Sequence, residues 1–273
     1  MTKIVIIGAS GFVGSALTLH LNQNQKSVTG VSRYAKPGLV QVSSYRNCPK
    51  GDVLIHLAEE SDIHKANLLG EDYLNESNAL TLALCDKFAG KVIYCSSAAV
   101  YGDKNTQANT EHDLLVDTNL YSKLKIQNEK IVLDHGGCVL RLANIYGVGM
   151  SANNVLSDII IQIGKPGPVR LRSTTPIRDF LYIQDLVSAI SLMIDGFQSG
   201  VFNVGSGFGI SIAKLAETVL SVSGEANREV ISVNPNNQDS INFLDTSKMS
   251  RVLGWHPKHP LQENIQSMLE NRT

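Results

Sequence analysis

The sequence predicts an α/β fold, a doubly wound parallel sheet with a smaller C-terminal lobe. Three observations predict it. Short runs rich in Val and Ile alternate with helical patterns through the first two thirds of the chain. The first run, KIVIIG (3 to 8), is continuously apolar and ends at glycine, as a strand buried on both faces of a parallel sheet does. A glycine-rich turn, GASGFVG (8 to 14), then leads into a helical stretch.

The elements follow in order. Residues 13 to 21, VGSALTLHL, repeat apolar side chains at helical spacing. SVTGVS (27 to 32) reads as the second strand and DVLIHLA (52 to 58) as a later one. Residues 73 to 88 read as a helix with Leu74, Ala79, Leu80, Ala83 and Leu84 on its apolar face. KVIYCSS (91 to 97) is another buried strand, 120 to 134 a helix, and CVLRLANIYG (138 to 147) a strand with its exit loop. Such alternation builds βαβ units with right-handed crossovers. After Gly147 the pattern changes to a helix and a Gly/Pro-broken stretch, GKPGPVRLRSTTPIR. Residues 179 to 195 return to strand and helix character. VFNVGSG (201 to 207) reads as a strand, 211 to 223 as a helix, and the tail carries LGWHPKHP (253 to 260) before a final amphipathic helix.

Bulk composition narrows the function classes. At 273 residues the chain is long enough for one large α/β domain or a domain with a smaller lobe. Hydrophobic residues make up 43% and charged ones 18%, an ordinary globular balance. A formal net charge of -1, with no basic run, speaks against a nucleic-acid partner. Four scattered cysteines form no CxxC pair, which argues against a metal site or a disulfide framework and fits a reducing, cytoplasmic compartment. The apolar run at Ile4 breaks at Gly8, too short for a secretory signal core or a membrane span.

The turn at 8 to 14 is built for a dinucleotide. Gly8 permits the tight turn, Gly11 lets backbone approach a pyrophosphate, and Gly14 lets the helix pack close to the sheet. Ser10, Phe12 and Val13 stand where the helix N-terminus offers free N–H groups to phosphate. The spacing is G-x-x-G-x-x-G. The second strand ends in VSRY (31 to 34), without the carboxylate that holds the ribose 2′-hydroxyl of NAD. Ser32 and Arg33 stand there instead. A guanidinium pairs with a 2′-phosphate that a carboxylate would repel, so NADP(H) is favoured and NAD is the alternative. Residues 1 to 147, with 179 to 205 returning to them, are therefore read as a dinucleotide-binding domain. Residues 148 to 178 and 206 to 273 are read as a substrate-binding lobe.

In LYSKLK (120 to 125), Tyr121 and Lys125 fall one turn apart on one helix face. Chance spacing is the plain explanation of that pair alone. The surrounding motifs decide otherwise: GASGFVG (8 to 14), VLIHLAE (53 to 59), CSSAAVYG (95 to 102), YSKLK (121 to 125), RLANIYG (141 to 147), RDFLYIQDL (178 to 186), FNVGSG (202 to 207) and LGWHP (253 to 257). In order and spacing the chain resembles the extended short-chain dehydrogenase/reductase family, the epimerase/dehydratase group acting on nucleotide sugars, with its Rossmann fold. The resemblance implies that Tyr121 exchanges a proton with the reacting sugar oxygen. An ordinary tyrosine titrates near ~10, and a neighbouring ammonium and an oxidised nicotinamide favour its phenolate. It further implies that Lys125 also holds the nicotinamide ribose, that Ser97 hydrogen-bonds the same sugar oxygen, and that Leu57 and Ala58 face the cofactor. Asn144 matches a position contacting the substrate diphosphate. Arg178, Asp179 and Asn78 are read as structural, His56, Tyr146 and Trp255 as packing, and His112 as a solvated loop residue.

The resemblance also bears on the reaction. The dehydratases of the group carry an Asp-Glu pair directly after the catalytic Ser/Thr, whereas Ala98 and Ala99 follow Ser97 here. That leaves reductases and epimerases. The VSRY ending and the short chain favour NADPH-dependent reduction of a 4-keto nucleotide sugar, with an epimerase recycling a bound NAD as the alternative. Many relatives place an arginine for the substrate diphosphate before the LGW segment. NPNNQDS (234 to 240) has none, although Asp239 keeps the acidic position as a ribose contact; charge from Arg170 or Arg172, or a substrate without a nucleotide, are the alternatives. A non-catalytic NADP-binding sensor or scaffold is the alternative of another class, disfavoured by the retention of Ser97, Tyr121 and Lys125. A homodimer through the helices at 73 to 88 and 120 to 134 is also implied, although from the residues alone those apolar faces serve equally to cover the sheet.

Overall fold

The computed structural model describes residues 1–234 and 240–270. In chain order the first half holds β1 (Lys3–Ile7), α1 (Phe12–Gln23), β2 (Ser27–Ser32), β3 (Val40–Gln41), β4 (Val53–His56), α2 (Ile63–Lys87), β5 (Val92–Ser97), α3 (Leu120–Asp134) and β6 (Cys138–Leu142). There follow β7 (Asn144–Tyr146), α4 (Val155–Ile160), β8 (Val169–Leu171), β9 (Ile177–Arg178), β10 (Phe180–Tyr182), α5 (Ile183–Asp195) and β11 (Gly200–Val204). The remainder contributes β12 (Ile210–Ser211), α6 (Ile212–Val222), β13 (Val230–Ser232), β14 (Ile241–Asn242), α7 (Ser247–Leu253) and α8 (Leu261–Glu270).

Seven strands form one parallel sheet in the order β11-β6-β5-β4-β1-β2-β3. Strand period explains the two helical layers. Ile4 and Ile6 of β1 point to the face covered by Leu17 and Leu21 of α1 and by Ile190 and Met193 of α5. Val5 and Ile7 point to the opposite face, against Leu84 and Cys85 of α2 and Val132 of α3. A strand buried on both sides must be apolar at every position, which is why KIVII shows no alternation. The chain runs outward from β1 to β2 and β3, then returns to β4 on the other side of β1. That reversal opens a crevice beyond the carboxyl ends of β1 and β4, the place where doubly wound sheets take ligands.

A second apolar cluster lies outside the sheet. It joins Leu156 and Ile159 of α4, Leu215 and Val219 of α6, and Ile265 and Met268 of α8, with β8 and β10 against them. The short strands β12, β9 and β14 form a separate three-stranded sheet beside it. The two units are stitched at β14, where the Asn242 side chain donates to the carbonyls of Ala98 and Gly102 at 2.8 and 2.7 Å.

Buried polar networks fix the frame. Arg141 on β6 pairs with Glu129 on α3 at 2.7 Å, their side chains 5% and 2% exposed. Arg141 also donates to the Tyr101 hydroxyl, which donates to Asn203 on β11. Ser96 on β5 donates to the same Glu129 carboxylate. Asp179 is buried and accepts from the Ser206 and Gly207 backbone and from the Ser206 hydroxyl. Trp255 is buried and donates to Ser188 at 3.0 Å.

Two elements differ from the sequence reading. The second helix starts ten residues earlier than 73, because α2 continues through a kink at Gly70, where φ is 76° and ψ is -174°. Only glycine adopts that conformation cheaply, so the periodicity breaks there while the chain resumes its helix. The apolar run 138 to 147 divides after Leu142. Asn144–Tyr146 leaves the large sheet to pair with β10. Among the described residues no helix is long and apolar enough to cross a membrane.

Candidate active site

The crevice at the sheet reversal is a cleft of about 760 Å³, lined by Gly8, Ser10, Gly11, Arg33, Leu57, Ala58 and Glu59, with Ser43, Ser44, Tyr45 and Arg46 at one end. The glycine turn shapes it. A Cβ on Gly8 would stand 2.5 Å from the Leu57 carbonyl oxygen, and one on Gly14 would stand 2.3 Å from the Gly8 carbonyl oxygen. Both positions are closed to any side chain. A Cβ on Gly11 would meet only the Gly8 oxygen, at 3.4 Å, so this glycine keeps space open on the cleft side. Helix α1 has no side-chain cap. The N–H groups of its first turn, beginning at Phe12 and Val13, have no partner within the helix. A cradle of this shape fits a dinucleotide pyrophosphate.

At the end of β2 the two residues part company. Arg33 is exposed, lines the cleft, and stacks its guanidinium 5.6 Å from the Tyr45 ring centroid. Ser32 is fully buried, its hydroxyl 3.1 Å from that of Ser10 and accepting from the Tyr34 backbone. Ser32 therefore ties the turn to Ser10 from behind. Arg46 and the serines at 43 and 44 join Arg33 at this end of the cleft. Sequence reading passed over them, because they lie on and just before a single 3-10 turn, Tyr45–Asn47, that carries no motif.

A second, larger cleft of about 1630 Å³ opens between the sheet and the second cluster. Ser97, Ala98, Ala99, Asn144, Arg172 and Arg178 are among its lining residues. The Ser97 oxygen accepts from the Ala99 backbone at 3.2 Å, which leaves its O–H proton free to donate. Asn144 is exposed at the start of β7 and donates to the Asp179 carbonyl at 3.0 Å. Arg178 is held by Ser240 and by its own strand's carbonyl, in keeping with a structural role. Arg172 presents an exposed guanidinium on the wall. Asp239 lies outside the described residues.

Tyr121 and Lys125 come from the first two turns of α3. The helix starts where it does because Asn119 and Ser122 form a reciprocal capping box. Asn67 on α2 also accepts from the Tyr121 backbone at 3.1 Å. Lys125 Nζ lies 5.7 Å from the Tyr121 ring centroid and donates to the Cys95 carbonyl, two residues before Ser97. That bond registers α3 against β5, the strand that ends at Ser97.

Glu59, in the VLIHLAE segment, is the residue whose role the sequence did not disclose. Its carboxylate accepts from Lys125 Nζ at 2.6 Å, the Tyr94 hydroxyl at 2.7 Å, Asn128 at 2.6 Å and Ser77 at 3.0 Å. The two charged side chains are 4% and 7% exposed. Burial pushes the Glu59 carboxyl up, but the Lys125 ammonium and its donors outweigh it and hold the group below its ordinary value. Burial likewise opposes charge on Lys125, and the Glu59 carboxylate reverses that, raising it. His56 beneath them is driven down to about 4 by burial and stays neutral near pH 7. It packs edge-on to Tyr94, as a core residue.

A family model described as the NAD dependent epimerase/dehydratase family matches residues 4–205. The chain belongs to that family. Its members are enzymes of the short-chain dehydrogenase type that bind a nicotinamide dinucleotide. Among relatives of this epimerase/dehydratase chain, UDP-glucuronic acid decarboxylase 6 of Arabidopsis thaliana is 26% identical over 98% of this chain and 88% of its own. The dTDP-4-dehydro-6-deoxyglucose reductase of Escherichia coli is also 26% identical, over 98% and 96%. MoeE5, solved with UDP-glucose and NAD, superposes with a TM-score of 0.86 at 23% identity, covering 98% of this chain and 97% of that one. A UDP-glucose 4-epimerase from Thermotoga maritima, solved with UDP-glucose, gives 0.87 at 21% identity, covering 98% and 97%. These two likenesses show the fold of the family member.

Proposed function

We propose that the chain is an NADPH-dependent reductase of a 4-keto nucleotide sugar. The observation that carries this reading is the end of the smaller cleft, where Arg33 and Arg46 stand and no carboxylate follows β2. Two guanidiniums suit a 2′-phosphate. The bound cofactor supplies the hydride that the carbonyl carbon accepts. Gly8, Gly11 and the α1 N-terminus hold the pyrophosphate, and Leu57 and Ala58 wall the cleft. Lys125 has two of its three N–H groups taken, by Glu59 and the Cys95 carbonyl, and keeps one for a ribose hydroxyl. Ser97 donates to the carbonyl oxygen, and Tyr121 gives that oxygen its proton. Asn144 and the exposed Arg172 are on the larger cleft's wall, where a sugar diphosphate would lie. The unit built on the second apolar cluster is, in this reading, the substrate lobe.

The test is a fluorescence titration of purified protein with NADPH and NADH, followed by turnover of 4-keto-6-deoxy nucleotide sugars. Tighter binding of NADPH and its consumption by a keto sugar are expected. Preference for NADH, or NAD that stays bound through purification, would sink the reductase reading. It would then favour an epimerase, a reading supported by the UDP-glucose 4-epimerase of Corynebacterium glutamicum, 21% identical over 94% of this chain. We also infer a homodimer through α2 and α3, which pack against each other and leave Leu82 of α2 45% exposed. Sedimentation velocity is expected to return twice the chain mass, and a monomer at micromolar concentration would overturn it.

A further inference from the structure

We propose that Glu59 is a positioning residue that fixes Lys125 and cancels its charge, so that Tyr121 acts as a proton donor to a carbonyl rather than as a base. The inference rests on the reading of Tyr121 as the acid/base group. Lys125 alone, 5.7 Å from the Tyr121 ring centroid, would favour the phenolate. Glu59 sits 2.6 Å from that ammonium, and four donors in all saturate its carboxylate. From the Tyr121 ring the pair is a small dipole instead of a full positive charge, and a dipole's field falls off faster with distance than a lone charge's.

The groups around the pair do not restore the charge. His56 on β4 is neutral near pH 7. Tyr94 on β5 and Tyr73 on α2 are both raised, chiefly by burial, and stay protonated. Cys95 is pushed up to about 12 by burial. Glu129 is matched by Arg141. Glu60 and Glu76, the other carboxylates lining the cleft, add to the sign of Glu59. In ketone reduction the C=O π bond breaks as hydride from the nicotinamide joins carbon. The oxygen takes the Tyr121 proton, and solvent later returns one to the phenolate. A site that keeps Tyr121 protonated until the carbonyl calls for it favours this direction over alcohol oxidation.

The test reads tyrosinate directly and needs no substrate. Ultraviolet absorbance is titrated against pH for wild type, Glu59→Gln, and Glu59→Gln with Lys125→Met. Each is compared with its Tyr121→Phe counterpart to isolate the Tyr121 step. The Glu59→Gln step is expected at lower pH than wild type by about one unit or more. In the double variant, with both charges gone, the step is expected to return to within about half a unit of wild type. An unmoved or higher step in Glu59→Gln overturns the proposal, and so does a double variant that titrates well above wild type, since Lys125 would then have acted uncancelled. If Glu59→Gln alone fails to fold, the double variant decides, because removing both members of a buried pair is tolerated better than removing one. A protein that turns over no keto sugar would overturn the proposed reaction and leave this titration readable.

Discussion

Tyr121→Phe is expected to lower kcat by about 10²- to 10⁴-fold, the range that one positioned proton donor contributes. The cofactor dissociation constant should stay where it was, because the glycine turn, α1 and Lys125 are untouched. The phenyl ring still fills a buried site that is 6% exposed, so the fold is kept. Single-turnover kinetics separate this from a binding defect: the chemical step slows while the binding phase does not. A variant that retains full turnover would remove Tyr121 from the reaction and return the site to a binding role.

Glu129→Ala carries the largest expected loss of stability. The substitution strands the Arg141 guanidinium, whose side chain is 5% exposed, without its carboxylate. Breaking one half of such a pair costs about 3 to 5 kcal/mol, and the Ser96 hydroxyl loses its acceptor as well. Urea unfolding followed by circular dichroism measures the change. Replacing both Glu129 and Arg141 with methionine should recover most of the loss. A single-variant cost below about 1 kcal/mol, the scale of a solvent-exposed pair, would show that the network is dispensable.

What could be read from the residues, and what could not, divides by the range of the interaction. Helix 120 to 134 was legible to the residue, since its cap, its apolar spacing and its end are all local. Strand β1 and the glycine turn were legible for the same reason. Helix α2 was legible from 73 onward but not in its first ten residues, because a positive-φ glycine inside a helix looks like a boundary in sequence. The departure of β7 from the large sheet depends on a partner, β10, that lies more than thirty residues later. The roles expected of Tyr121, Lys125 and Ser97 came from the family resemblance. That of Glu59 did not, because its meaning lies in Lys125, 66 positions along the chain. Arg46 was missed likewise, since only the folded cleft sets it beside Arg33.

The position of β11 has a consequence during synthesis. The sheet's last strand, Gly200–Val204, docks on β6 through five residue pairs. More than fifty residues separate the two strands in the chain, including α4, α5 and the short strands between. A ribosome delivering residues in order therefore exposes the outer rim of Cys138–Leu142 long before its cover emerges. An open, apolar rim of this kind is a template for pairing with other chains. While residues between 142 and 200 are being added, that rim has no partner strand, and a pause engineered there is expected to raise the aggregated fraction.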